Sequence, residues 1–417
     1  MRYETIKARS LLSKPIYGDS WFHINRSLNS YRGCEFACSY CDGRSEYYYV
    51  DDFESHIRVK ENAPDILRKE LEKEGFTSRS KLESETLWSF LDDEDAKRIA
   101  LKTPRRQVIG VCGGVSDGYQ QAEAEHNVTR RNLEVLHDFG MPVFVLTKSH
   151  LVTRDLDVLE QIHERAFANV TFTITTFDPK IKKILEPKSA STAERYEALK
   201  EIRKRGLFGG VMATPIIPSI GNNDENMYAL AKEAKRVGAQ YILFAGMTLK
   251  PGRQKDHFFR IVKNHFPEHF EHIREIYAKN DRYGHADYSK VPVRSMIRGY
   301  KICKDVGISP RTIRHNLPFE YEINSQVLGG LLDIVFYQQY LLGLPWNKSK
   351  RIQEIAIRIE KGVENLQELR EQDALKGRLL LDEVSEPIVE QLMDTGTCDH
   401  LRWIESKLDE EIEKLNL

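Results

Sequence analysis

No stretch of this sequence approaches the ~20 consecutive apolar residues that a membrane-spanning helix needs. The opening Met1-Arg2-Tyr3-Glu4 has no apolar signal core. The expectation is therefore a cytoplasmic protein with no membrane contact. An excess of one charge is also lacking: 62 basic and 63 acidic residues leave a formal net charge of −1. Cysteine is scarce, with six in 417 residues, which excludes a disulfide scaffold. The few that exist are unevenly placed. Cys34, Cys38 and Cys41 fall within eight residues, while Cys112, Cys303 and Cys398 are scattered. Such a cluster points to a metal.

The chain is long enough for roughly two to three domains of about 150 residues. From about residue 20 to 250, short β-rich runs alternate with amphipathic helical ones. The expected strands are Phe22–Asn25, Val108–Cys112, Val143–Thr147, Val170–Thr175, Gly210–Pro215 and Ile242–Ala245. The expected helices include Asp65–Glu74, Glu125–Phe139, Leu156–Ala166, Ala193–Arg205 and Glu225–Val237, with Gly140, Gly206 and Gly238 placed to stop them. Strand–helix repetition with short loops implies parallel strands and right-handed crossovers. Six strands predict an α/β fold of partial (β/α)6 TIM-barrel type, with the chemistry at the carboxyl ends of the strands. From about 316 onward the pattern is helical and net −9, leaving +8 on 1–315 (−1 minus −9). The expected division is a core domain at 1–270, a connecting segment at 271–315 and an acidic helical domain at 316–417.

The cysteine run reads Tyr31-Arg32-Gly33-Cys34-Glu35-Phe36-Ala37-Cys38-Ser39-Tyr40-Cys41-Asp42-Gly43-Arg44. It follows the first expected strand. Three thiolates at this C-x3-C-x2-C spacing can hold three irons of a 4Fe–4S cube, with the fourth iron free of protein ligands. An open coordination position marks a catalytic rather than a structural metal site. S-adenosylmethionine (SAM) can fill it with its amino and carboxylate groups. Zinc is the alternative, but structural zinc wants four ligands and usually two separated pairs. No second pair exists, and the nearest histidines are His23 and His56.

This run resembles the radical SAM superfamily and, within it, the spore photoproduct lyase-like family. The likeness covers roughly residues 20–265. It extends to Val59-Lys60-Glu61-Asn62-Ala63-Pro64, Gly113–Asp117 with Tyr119-Gln120, Leu146-Thr147-Lys148, Leu185-Glu186-Pro187 and the Pro215–Pro218 turn. The resemblance implies two cofactors, a 4Fe–4S cluster on Cys34, Cys38 and Cys41, and SAM. Tyr40 takes the position that contacts adenine. Gly113, Gly114, Ser116 and Asp117 take the position of a SAM-contacting turn, and Lys148 that of the cation pairing the SAM carboxylate. Thr173 or Thr175 supplies a hydroxyl beside SAM. Glu186 and Arg195 match a Glu-Pro and a following Arg, as a ligand or as a structural ion pair. Where the family reads Asp-Pro-Tyr-Gln-Pro, this chain has Asp117-Gly118-Tyr119-Gln120-Gln121, without the prolines. The lyases' hydrogen-donating cysteine falls at Gly114 here. Cys112 sits two residues earlier, about 6.6 Å away along a strand, and is expected not to take over that role.

The implied mechanism is electron transfer from the reduced cluster into SAM, giving methionine and a 5′-deoxyadenosyl radical that abstracts hydrogen from a substrate. The implied activity is lyase-type repair of a nucleic-acid lesion, which the positive charge of 1–315 suits. An electron donor such as a flavodoxin or ferredoxin is the implied partner. Two alternatives stay open: radical modification of RNA, peptide or a small molecule, and an iron–sulfur sensor or DNA-binding module without turnover. In the tail, Ile302–His315 resembles the turn of a helix-turn-helix. The pattern from Asn324 to Gly396 is similar to the small helical domain of family X DNA polymerases, but the Asp382–Pro387 hairpin lacks that domain's glycines.

Overall fold

The structure is a computed structural model and describes residues 1–84, 107–111, 116–279, 281–287, 292–314, 322–362 and 364–416. Its centre is a six-stranded parallel sheet. The strands are β2 (Arg26–Leu28), β5 (Ile109–Val111), β6 (Val143–Thr147), β7 (Ala168–Thr173), β8 (Phe208–Ala213) and β9 (Ile242–Phe244), hydrogen-bonded in that order. Helices fill the crossovers, so the expected partial barrel is present. A second sheet lies outside the sequence expectations: β1 (Arg2–Ile6), β4 (His56–Lys60) and β3 (Tyr31–Arg32), with β4 in the middle.

Strand alternation sorts the side chains of the barrel into two faces. Val143, Val145, Val170, Phe172, Val211 and Ile242 point outward and share a core with Leu133, Leu136, Leu159, Leu199 and Leu230 on the helices. The residues between them face the lumen. Tyr241 fills the lower lumen, where its hydroxyl bonds Thr171 and Asn169 of β7. Gly210 makes this packing feasible: a Cβ there would stand 2.4 Å from the Tyr241 ring.

Two expected elements come out differently. The first barrel strand is Arg26–Leu28, not Phe22–Asn25. The Asp19 carboxylate accepts from the backbone N–H groups of Trp21, Phe22 and Ile24, and these local bonds compete with an extended ladder. The rings of Trp21 and Phe22 turn onto Phe336 and Phe144 instead. The helix expected at Glu125–Phe139 is two helices, Ala122–His126 and Val128–Asp138, broken at Asn127 in the left-handed conformation that asparagine tolerates. Gly140, Gly206 and Gly238 do follow helix ends, with φ of 62°, 82° and 84°.

The resemblance to a helix-turn-helix at 302–315 is not realised in the described part of that segment. The helix Pro292–Val306 ends at Gly307, and Ser309 bridges to Tyr241 at the β9 edge. No second helix follows through residue 314. Arg311 instead bonds Ser20 O (2.7 Å) and Asp333 (2.7 Å) and lies over the Phe336 ring, while Thr312 bonds Trp21 O. The segment is a seam between barrel and tail. Beyond it the helices Glu322–Phe336, Trp346–Lys361, Ser385–Thr395 and Asp399–Lys414 enclose a second core, which also takes Met296 and Ile297. The helix Pro267–Ile276 runs through residue 270, with Ile273 and Ile276 packed in one core with Leu249, Phe258 and Val262. Among the described residues no helix is long and apolar enough to cross a membrane.

Gly210→Ala should lower stability by roughly 1–3 kcal/mol, because the new methyl overpacks a filled lumen. Chemical denaturation measures this; wild-type stability would show that Tyr241 does not occupy the lumen.

Candidate active site

The cysteine loop follows β3 at the carboxyl end of the barrel and has little regular structure of its own. Neighbouring elements hold it instead. Gly33 turns with φ 86°, and a Cβ there would press on the carbonyl oxygens of His56 and Phe53. The Cys34 N–H donates to Phe53 O, and Ser39 N–H to Leu185 O. Arg44 donates to Cys38 O (3.0 Å) and Ala37 O (3.1 Å) and pairs with Glu54. Gln254, more than 200 residues away in sequence, donates to Tyr40 O at 3.0 Å.

Cys34, Cys38 and Cys41 are free thiols, the first two buried. Burial pushes all three thiols up, Cys38 to about 12, although the Lys148 charge pulls Cys38 and Cys41 the other way. A metal held by these thiols would have to displace their protons. Among the described residues no three His, Cys, Asp or Glu side chains converge as ligands of a single ion. Three free thiols on one loop at the carboxyl end of the barrel are a donor set that fits a cluster, one thiolate to each of three irons.

Beside the thiols lies a buried polar network centred on Glu186. Its carboxylate accepts from the Tyr40 hydroxyl, from Thr175 Oγ1 (3.2 Å), from Ser189 Oγ (3.3 Å) and from Arg195 Nη2 (2.5 Å). Glu186 and Arg195 are each 1% exposed. Burial alone would raise the Glu186 pKa, but the Arg195 and Lys148 charges and the Tyr40 bond bring it from the usual 4.5 down to about 2. Arg195 also donates to Thr173 O at 2.7 Å. Of the two open readings for Glu186 and Arg195, the ion pair is what the structure shows.

The other expected residues divide. Tyr40, Lys148, Thr173 and Thr175 gather in this network, with Lys148 Nζ 5.8 Å from the Tyr40 ring centroid. Among the described residues no carboxylate pairs with the Lys148 ammonium. Burial works against its charge, yet Cys38 and Glu186 hold its pKa above the ordinary lysine value. Asp117 and Ser116 make hydrogen bonds within the protein. Asp117 accepts from Thr147 Oγ1 (2.7 Å), Lys148 N (2.9 Å) and Tyr119 N (2.8 Å), so both of its oxygens are engaged, at the end of β6 and in its own turn. Ser116 Oγ donates to Tyr31 O at 3.0 Å. Gly113, Gly114 and Cys112 lie outside the described residues.

Residues 28–234 match the Radical SAM superfamily. They form a radical SAM domain. The cofactors of this domain are a 4Fe–4S cluster and SAM. An uncharacterized protein of Mycobacterium tuberculosis is 25% identical over 258 residues, 61% of this chain and 67% of that protein. Another, from Methanocaldococcus jannaschii, is 27% identical over 274 residues, 65% and 87% of the two chains. The solved structure of a cysteine-to-serine mutant of spore photoproduct lyase aligns with a TM-score of 0.48 at 16% identity, over 73% of this chain and 79% of that one.

Sequence reasoning missed the residues that grip the loop. Arg44 and Gln120 lie inside motifs that were noted, but nothing in a motif says which backbone groups a side chain will reach. Gln254 has no sequence signal at all.

Glu186→Gln should cost about 3–5 kcal/mol, since Arg195 would keep a buried charge without its partner. The sign with pH follows from the lowered pKa. Wild type keeps this stabilisation above about pH 4.5 and loses it as the pH falls toward 2. Urea unfolding at pH 7 and pH 3 should show the gap between the two proteins narrowing at the lower pH.

Proposed function

We propose that this protein is a radical SAM enzyme that holds its cluster through Cys34, Cys38 and Cys41, binds SAM against Tyr40 and Lys148, and acts on a lesion or modified position in nucleic acid as a lyase-type catalyst. The observation that carries the reading is the meeting of three thiols, two of them buried, with the Lys148 ammonium and the Glu186 network at the carboxyl end of a parallel barrel. The cofactor pair supplies an electron and a carbon-centred radical for hydrogen abstraction, the part of the chemistry that protein side chains cannot perform.

The side chains have their own tasks. Lys148 offers a cation to the SAM carboxylate; a compact ammonium suits that contact. Tyr40 presents a ring whose hydroxyl is fixed by Glu186, so the ring plane is set before any ligand arrives. Thr173 and Thr175 add polar atoms at the end of β7, and Gly113 and Gly114 are the positions where backbone could approach the ligand closely. The buried surroundings keep water and stray reactants from a radical. A nucleic-acid substrate is supported by the motif resemblance and by the +8 charge of residues 1–315. The cluster needs a reductant, for which a flavodoxin or ferredoxin is the natural class. We divide the chain into a catalytic unit at 1–270, a connecting segment at 271–315 and an acidic helical unit at 316–417, with the helix Pro267–Ile276 spanning the first boundary.

Anaerobic reconstitution followed by dithionite and SAM tests the central reading. Mass analysis should find 5′-deoxyadenosine, and Cys34→Ala, Cys38→Ala and Cys41→Ala should each abolish the cluster. Stoichiometric zinc, or about four irons retained in all three variants, would overturn the ligand set. Lys148→Ala should weaken SAM binding by about 10- to 100-fold, the effect of losing a hydrogen bond to a charged group. The reconstituted full chain should also bind oligonucleotides with an affinity that falls steeply as salt rises. Absence of binding at low salt would count against a nucleic-acid substrate and in favour of a peptide or small molecule.

A further inference from the structure

The tail carries a cavity of about 350 Å³ lined by the end of the helix Trp346–Lys361 and by the short helices Leu366–Glu371 and Leu375–Leu379. That volume suits a small molecule. Part of the lining is apolar, from Ile359, Leu366, Leu369 and Leu379. Another part is cationic, from Arg358, Lys361 and Arg378.

These polar groups are unequally occupied. Arg378 Nε donates to both oxygens of Glu364, at 2.8 and 2.6 Å, so that pair is closed on itself. The Asn324 amide is spent on Glu364 O (2.8 Å) and Leu366 N (3.0 Å). Arg358 is different. Its side chain is only partly exposed, its Nη1 is buried, and that nitrogen has no hydrogen-bond partner among the described residues. Among the same residues no carboxylate pairs with Arg358 or Lys361. The Lys361 ammonium stands 4.9 Å from the centroid of the Tyr17 ring. Carboxylates are not scarce here, since residues 316–417 carry a net charge of −9.

A guanidinium stays charged at physiological pH and offers its donors in a planar fork that matches an oxyanion. Burying one of those donors unbonded costs stability. Its natural complement is an anionic acceptor. Two unmatched cations favour a dianion over a single carboxylate, and the apolar lining favours a non-polar body behind the charge.

We infer that this cavity of the tail is a binding site for a small organic phosphate, whose phosphoryl oxygens meet Arg358 and Lys361 and whose apolar body lies against Ile359, Leu366 and Leu379. The site shares no lining residue with the cysteine loop and does not depend on the cluster.

The test titrates phenyl phosphate, benzoate and phenol into the full chain by calorimetry. Phenyl phosphate should bind saturably in the low-millimolar range or tighter, benzoate more weakly, and phenol not at all. Arg358→Met keeps an unbranched stem and removes the charge, and should weaken phenyl phosphate about 10- to 100-fold. Lys361→Met, at an exposed position, should weaken phenyl phosphate more than benzoate. Without ligand, Arg358→Met should melt at or above the wild-type temperature, because it removes an unmatched buried donor. Phenyl phosphate should raise the melting temperature of wild type and not that of Arg358→Met. An Arg358→Met protein that melts lower, or does not fold, overturns the proposal, because the guanidinium would then serve the fold. Phenyl phosphate that does not saturate by about 10 mM, or that binds either variant as tightly as wild type, overturns it too. So does benzoate binding as tight as that of phenyl phosphate.

Discussion

The Glu186 carboxylate is buried, charged and shared. Its oxygens tie together the cysteine loop through Tyr40, the end of β7 through Thr175, and the helix Thr192–Lys204 through Arg195. A buried carboxylate is tolerated only when its lone pairs are filled and its charge is met. Satisfying Glu186 therefore requires these three elements to be in register with one another. The Lys148 cation, the Cys38 thiol and the Tyr40 ring inherit their positions from that requirement. The candidate site is organised around a structural ion pair whose own atoms are largely spoken for.

The same logic runs along the other side of the loop. Eight residues carry three cysteines and almost no backbone ladder, so their carbonyl and N–H groups must find partners elsewhere. Arg44, Gln120, Gln254, Leu185 and Phe53 supply them from separate parts of the fold. A loop held in this way keeps its sulfurs in place without a metal, the kind of support that metal-site function depends on. Asp117 belongs to this scaffold too. Its carboxylate holds the end of β6 and fixes the backbone from which Lys148 projects.

The tail is joined to the barrel by a polar and aromatic seam. Arg311 reaches across to Ser20 O and Asp333 while stacked on Phe336, and Glu360 takes hydrogen bonds from Gly18 N and Asn25 Nδ2. A segment whose sequence resembles a DNA-reading turn is occupied with this contact. Arg311 and Thr312 are turned inward, toward the barrel and the first long helix of the tail.

Much of this was legible in the sequence because it depends on local spacing. Three cysteines in eight residues, alternating apolar runs and glycines at helix ends determine a metal-binding loop on a parallel α/β barrel, since each signal needs only near neighbours to act. Lys148 was readable from its place at the end of a strand, and Glu186 and Arg195 from their motif. What tertiary structure decided is which atoms meet across the chain. Whether Asp117 faces a ligand or holds the end of β6, whether Phe22–Asn25 extends or is curled by Asp19, and which backbone groups Gln120 and Gln254 hold all turn on partners tens to hundreds of residues away. Hydrogen bonds and buried charges are satisfied in three dimensions, and no period or spacing along the chain encodes the partner.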